Sequence, residues 1–397
     1  MKLNFLKISV VGLSVLSLAA CSKWMTPEAE KFDSSYTETD RDDAYYEALR
    51  AYKASDHKRS FGWFDGWDIS STSPSIASSL AFIPDSMDIV SLWSNYGIEY
   101  LSPEKIEDLR FVTEVKGIKV LCCSFIWRIG DIYNPLGPNA SYDDIKAHYG
   151  FVDGQTENNL EAISKWCADV AWFLNNYGFS GIDIDYEPGE NPGEGNNDPI
   201  MPNATYFSHF VKEMGKYIGP QSGTGKIFCL DGYINTFPNP DELGKYFDYF
   251  VSQAYTRWGG GDQSSPVLDR SELDNRWQSF ASHLQGAYPD RAELAKKFIV
   301  TDNLEAVDVC LAGGYFWKDE MGIWSRDVMP TLVGFAYWNP DEEGIRAGGF
   351  GAYKFGHERG NKPPYKWMRR AIQQANPSSP DVDVVTPEDY EPGSGVL

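Results

Sequence analysis

Short apolar runs alternate along this chain with longer segments whose apolar residues recur at helical spacing. Strand-like runs fall at 60–64 (SFGWF), 88–93 (DIVSLW), 118–125 (IKVLCCSF) and 180–187 (SGIDIDYE). Four more follow at 226–233 (KIFCLDGY), 249–255 (YFVSQAY), 297–302 (KFIVTD) and 332–338 (LVGFAYW). Most are apolar on both faces, the pattern of a parallel sheet covered on each side. Between the third and fourth, TENNLEAISKWCADVAWFLNNYG sets Leu160, Ile163, Ala168, Val170, Phe173 and Leu174 at helical positions, and Gly178 supplies the stop. SPEKIEDLRFVTEVKG, DELGKYF and SRDVMPT supply helical pieces between other strands. Strands followed by helical crossovers predict an α/β fold, a (β/α)8 TIM barrel over 60–376. The open doubly wound alternative lacks a GxGxxG after its first strand.

The ends read differently. Lys2 and Lys7 precede an apolar run from Ile8 to Ala20, too short for a mature membrane span, which predicts a signal peptide over 1–20. Leu18-Ala19-Ala20-Cys21 resembles a bacterial lipobox, implying cleavage before Cys21 and lipidation of its thiol. The expected location is therefore outside the cytoplasm, lipid-anchored to a bacterial membrane, at the outer membrane or cell surface. An ordinary signal peptide with an incidental cysteine is the alternative. Residues 21–59 form a tether and one outer helix, with Thr39 or Asp40 at its start. A last helix begins near Pro364, and the acidic Pro- and Ser-rich tail 377–397 has too little to bury to be ordered.

Charge and composition narrow the partners. The formal net charge of -22 argues against nucleic acid or an anionic membrane surface, both of which need a basic patch. Thirteen Trp and 23 Tyr offer many flat faces with polar edges, suited to packing and, in a few places, to stacking on sugars. Cys122, Cys123, Cys167, Cys229 and Cys310 lie in apolar contexts without a CxxC, so buried free thiols are expected. The five His residues form no HxH or HExxH pair and no GxSxG occurs, so neither a zinc site nor a serine esterase is indicated; no cofactor is called for.

The chemistry concentrates in GFSGIDIDYEPGE (178–190). Residues two apart on a strand share a side, so Asp183, Asp185 and Glu187 line one face while Ile182, Ile184 and Tyr186 line the other. In a barrel that face points inward, and Glu187, just before Pro188-Gly189, reaches the C-terminal mouth where active sites of this fold gather. Crowded carboxyls in a desolvated pore raise one another's pKa, which prepares a general acid. Two other readings fit the same residues: the solvated face of an antiparallel strand, and a hard-metal site to which Asp231 and Asp302 add oxygens.

Ser180 to Glu187 resembles the DGxDxDxE signature of glycoside hydrolase family 18, compatible at seven of its eight positions, with Ser180 in place of the first Asp. The resemblance covers roughly Phe61 to Asn339, is weak on the third strand (CCSFIW), and implies the same barrel with the motif on strand four. It implies Glu187 as proton donor, Asp185 as the group orienting a substrate acetamide, and Asp183 as its hydrogen-bond partner. Gln253 and Tyr255, at the end of the sixth strand candidate, resemble the Gln-x-Tyr of the family's endoglycosidases, whereas its chitinases carry Met-x-Tyr-Asp and this chain has Thr256. Trp338, ending the eighth strand candidate, takes the place of the family's sugar-flooring Trp; Trp63 and Trp258 are further candidate sugar contacts. The implied activity is that of a retaining endo-β-N-acetylglucosaminidase, cutting the GlcNAc-β1,4-GlcNAc core of N-glycans with the substrate's own acetamide as nucleophile. No metal or cofactor is implied, and a monomer is expected. The rivals are a chitinase and a surface lipoprotein that binds GlcNAc-containing glycans without cutting them.

Overall fold

The computed structural model describes residues 41–69, 78–94, 96–189, 197–255, 268–318 and 329–377. The expected signal peptide, Cys21, Thr256, Trp258 and the tail from 378 onward lie outside them. Eight parallel strands close on themselves: β1 (Arg59–Phe64), β2 (Ile89–Leu92), β3 (Lys119–Ser124), β4 (Gly181–Tyr186), β5 (Ile227–Gly232), β6 (Tyr249–Gln253), β7 (Phe298–Asn303) and β8 (Gly349–Tyr353). Each pairs with its neighbours in sequence, and β8 returns to β1. This is the expected (β/α)8 barrel.

Alternation along the strands makes two cores. Ile182, Ile184 and Tyr186 of β4 pack outward with Phe228, Leu230, Phe250, Val300 and Phe350 against the surrounding helices. Inside, Phe61, Trp63, Ile89, Leu121, Cys123, Ile227, Cys229, Val251 and Ile299 fill the pore. Gly181, which opens β4, has φ of 151°, and a Cβ there would sit 1.9 Å from the Ile227 carbonyl oxygen. Any other residue at that position would push β4 off β5. The helix after β3 spans Thr156–Tyr177 and stops at Gly178 in the left-handed region (φ 86°), as its sequence indicates. The outer helix is Asp43–Ala54; Asp42, rather than Thr39 or Asp40, caps it by accepting the Tyr45 N–H at 2.8 Å. All five cysteines of the barrel are buried and free.

One strand assignment fails. LVGFAYW lies on a helix, Thr331–Tyr337, and the eighth strand is GFGAY at 349–353. A seven-residue apolar run suits a buried helix as well as a buried strand, and glycines disguise the true strand. Those glycines are required by close approach: a Cβ at Gly351 would lie 2.0 Å from the Phe61 carbonyl oxygen. The helix Thr331–Tyr337 runs back to the N-terminal end of the barrel, where the buried Lys58 ammonium donates to the carbonyls of Ala336 (2.9 Å) and Trp338 (2.6 Å).

Beyond β8, Glu358 is fully buried and caps the helix Lys366–Ala375, its Oε2 accepting the N–H groups of Trp367 (2.8 Å) and Met368 (3.3 Å). Burial pushes its pKa up from 4.5 to about 8, although the two backbone donors pull the other way. The folded state therefore holds this proton more tightly than the unfolded chain. The resulting stability is full below the unfolded value and is lost as pH rises toward the folded one. Glu358→Gln keeps the acceptor and removes the charge. It should abolish a fall in unfolding free energy of up to about 1.4 kcal/mol per pH unit between roughly pH 5 and 8, read from urea melts across that range. Parallel pH profiles for the two proteins would contradict this.

Candidate active site

The acid row of β4 faces the pore as its alternation requires. Asp183 is fully buried; its Oδ2 accepts the Trp63 indole N–H from β1 (2.9 Å) and the Ser91 hydroxyl from β2 (2.7 Å). Above it, Asp185 Oδ1 accepts from Gln253 Nε2 at 3.2 Å. Glu187 follows the last strand residue and is half-buried, its backbone N–H directed at the Met201 sulfur (3.2 Å). Tyr255 stands half-buried past the end of β6. The barrel thus gathers Asp183, Asp185, Gln253 and Tyr255 at one end of the pore, with Glu187 at the rim.

A fourth carboxyl joins them. Asp231 on β5 is in register with Asp185 and fully buried. Its Oδ1 accepts from the same Gln253 Nε2 at 2.7 Å, and the Cys123 thiol lies 3.9 Å from its Oδ2. Burial is the main reason that Asp231 and Asp185 hold their protons far above the ordinary carboxylate range. Neighbouring charge adds to it, from Asp183 and Asp185 on Asp231, and from Glu187 and Asp183 on Asp185. Asp183 is raised by burial too, but its Ser91 and Trp63 bonds favour the anion and limit the rise. The Tyr255 phenol is also pushed up, by burial and then by Asp231 and Asp185, so it is a hydrogen-bond donor at neutral pH.

The remaining candidates land elsewhere. Trp338 is fully buried at the opposite end of the barrel, its indole N–H bonded to Asp274 (3.0 Å), because the segment it ends is a helix and not the eighth strand. It floors no sugar site. Trp63 is only 1% exposed and has no open face; it acts from beneath, as the donor to Asp183. The residue at the mouth of the true β8 is Tyr353, half-buried, with its ring 5.8 Å from Trp93, 6.1 Å from Tyr255 and 6.2 Å from Trp63. Sequence reasoning missed it by misplacing β8. Ser180 lies at the base of β4, where its Oγ accepts the Val120 N–H (3.1 Å), away from the mouth.

Among the described residues, Cys123, Asp183 and Asp231 are the group close enough to share a metal ion, with ligand atoms within 4.8 Å of one another. The set fits a cation poorly. Burial keeps the Cys123 thiol protonated, and Trp63, Ser91 and Gln253 already donate to one oxygen of each acid. Asp302 takes no part: it points outward from β7 to the Thr331 hydroxyl.

Beside the mouth, the loops after β2 and β3 enclose a cleft of about 310 Å³, lined by Trp93, Tyr96, Glu99, Tyr100, Tyr133 and Asn134 among others. Trp93 belongs to both cleft and mouth, through its contact with Tyr353.

A closed parallel barrel with stacked carboxyls under an aromatic mouth has the architecture of a glycoside hydrolase. The chain belongs to glycoside hydrolase family 18: the family described as "Glycoside hydrolase family 18, BT1044-like" matches residues 25–374. Endo-beta-N-acetylglucosaminidase F2 of Elizabethkingia meningoseptica is 28% identical over 212 residues, 53% of this chain and 54% of that protein. The chain thus matches about half the length of that curated relative. The solved structure of a selenomethionine Glu-to-Gln variant of BT1044 superposes with a TM-score of 0.61 at 26% identity, covering 84% of this chain and 92% of its own. An apo endo-β-N-acetylglucosaminidase from Cordyceps militaris shares the fold (TM-score 0.53, 18% identity, 86% and 99% covered).

Removing the Trp63 donor tests how Asp183 is held. Trp63→Phe keeps an aromatic side chain, opens a small gap beside it and deletes one donor to a buried carboxyl, a loss of about 1–3 kcal/mol. Chemical denaturation should show it at pH 7, and the deficit should shrink in acid, where Asp183 no longer needs the donor. An equal deficit at all pH values would mean that only packing was lost.

Proposed function

We propose that this protein is a retaining endo-β-N-acetylglucosaminidase that cleaves between the two GlcNAc residues of an N-glycan core. The observation that carries the proposal is the vertical order of the groups: Glu187 at the rim, Asp185 below it, Asp183 deepest, with Gln253 and Tyr255 alongside. Glu187 gives its proton to the glycosidic oxygen as the C1–O bond breaks. The substrate's acetamide oxygen forms the new bond to C1, closing an oxazolinium ring. Asp185 accepts the acetamide N–H and bears the negative charge that balances the ring. Tyr255, a neutral phenol beside the acids, donates to the acetamide oxygen. Water then attacks C1, giving its proton to Glu187 and restoring both the acetamide and the original configuration. Holding the nucleophile within the substrate replaces a bimolecular encounter by a local one.

The Gln-x-Tyr pair supports the endoglycosidase reading over a chitinase, as does the similarity to endo-beta-N-acetylglucosaminidase F2 of Elizabethkingia meningoseptica. The cleft beside Trp93 offers rings and polar edges to the rest of a branched glycan. Cys21 is proposed as the lipid attachment point; a Cys21→Ser protein that still partitions with membranes would argue against it.

Glu187→Gln should lower turnover of an N-glycoprotein by about 100-fold or more, with released glycans followed by mass spectrometry and one GlcNAc left on the protein by active enzyme. Near-normal release would remove Glu187 from the mechanism. Asp185→Asn should hydrolyse poorly yet still transfer from a glycan oxazoline donor; unchanged hydrolysis would make Asp185 structural.

A further inference from the structure

The acid cluster contains one member that lies outside the family signature and that the mechanism above does not name, Asp231. Asp231 makes carboxyl–carboxyl contacts with both Asp183 and Asp185, and its Oδ1 shares the Gln253 amide with Asp185. Asp183 Oδ1 is buried and takes no fixed N–H or O–H donor. A buried acceptor in that position needs a donor; the Cys229 thiol and the Asp231 carboxyl adjoin Asp183, and of the two a carboxyl O–H is the stronger donor. Three buried carboxyls linked through Asp231 cannot all ionise, so the question is where their protons reside.

We propose that Asp231 is a positioning residue that links Asp183 to Asp185, storing the buried proton so that Asp185 is the member free to ionise when the acetamide arrives. Its carboxyl O–H donates to Asp183 Oδ1, and the Asp183 anion is held from the other side by Trp63 and Ser91. Gln253 ties Asp231 and Asp185 together through one amide group, so movement of either is felt by the other. As positive charge grows on the substrate nitrogen, the proton on Asp185 passes to the Asp183–Asp231 pair and the anion stays on Asp185. When water restores the acetamide, the proton returns. No bond to carbon changes in this step, and the cluster's proton count is conserved. The titratable groups facing Asp231 are Asp183 and Asp185 on β4, Cys123 on β3, Cys229 on its own strand and Tyr255 beyond β6, with Glu187 above Asp185.

The proposal rests on the endoglycosidase reading, and its test separates the two. Asp231→Asn preserves shape and the Gln253 contact but cannot store an acid proton. In that variant kcat should fall about ten-fold or more, at the low end for groups that handle protons, with KM little changed. The pH limb set by the cluster should move down by about one unit, a ten-fold change in ionisation constant. A purely structural Asp231 would lower the melting temperature and leave the pH profile in place, and that result would overturn the proposal. Infrared spectroscopy provides an arm that needs no substrate. In a Glu358→Gln background, which removes a buried acid outside the cluster that also holds a proton at pH 7, the C=O stretch of the cluster's protonated carboxyls should be present at pH 7 and weaken, leaving the Asp185 contribution, when Asp231→Asn is added. Absence of that band before the Asp231 change would overturn the proposal whatever the enzyme cleaves.

Discussion

The structure depends on a set of carboxyls kept in a place where water cannot reach them. A charge moved into a protein interior loses its hydration, so it survives only with donors at hydrogen-bond distance or with a proton. Both solutions operate here. Trp63 and Ser91 favour the Asp183 anion, while burial, joined by neighbouring charge, raises the pKa of Asp231 and Asp185 well above the ordinary carboxylate range. The donors come from β1, β2 and β6, strands far apart in the chain, and only closure of the barrel brings them to one point.

Closure also sets the shape of the mouth. Because β8 is threaded with glycines, it lies close against β1, and Phe61 and Trp63 occupy the pore beneath the acids. Aromatic bulk there excludes water from below and leaves the upper end open. At that end Tyr353, Tyr255 and Trp93 form a continuous ring surface that runs from the acids into the neighbouring cleft. The upper end therefore presents flat apolar faces at its sides and a row of carboxyls at its base.

The opposite end of the barrel holds buried polar groups of another kind. Lys58 takes the last carbonyls of the helix Thr331–Tyr337, and the His57 ring bonds Asp88 at 2.8 Å, with the Ser60 hydroxyl on the other Asp88 oxygen at 2.9 Å. Burial would raise the Asp88 pKa, yet His57 and Lys53 hold it below the ordinary value. The buried polar groups named here are paired and enclosed. The division follows the usual separation of a barrel into a reactive and a structural end.

Period-two alternation is a local property, so the stretch from Gly181 to Glu187 declares its acid face without help from the rest of the chain, and seven of the eight strands and the helix ending at Gly178 are legible in the same way. The signature and the Gln-x-Tyr pair carry the family with them. Three things are not local. LVGFAYW is equally apolar in either conformation, and its helical state is decided by what packs around it. Asp231, which the sequence offers only as an oxygen for a hard metal, and Cys123, one buried thiol among five, gain their place at the site when register sets them against Asp185 and Asp183. Tyr353 becomes a wall of the mouth, and Trp338 a buried brace, only once the barrel has closed and assigned each an end. Side-chain periodicity is written in the chain, whereas which strands become neighbours, and therefore which carboxyls must share protons, is settled by packing across it.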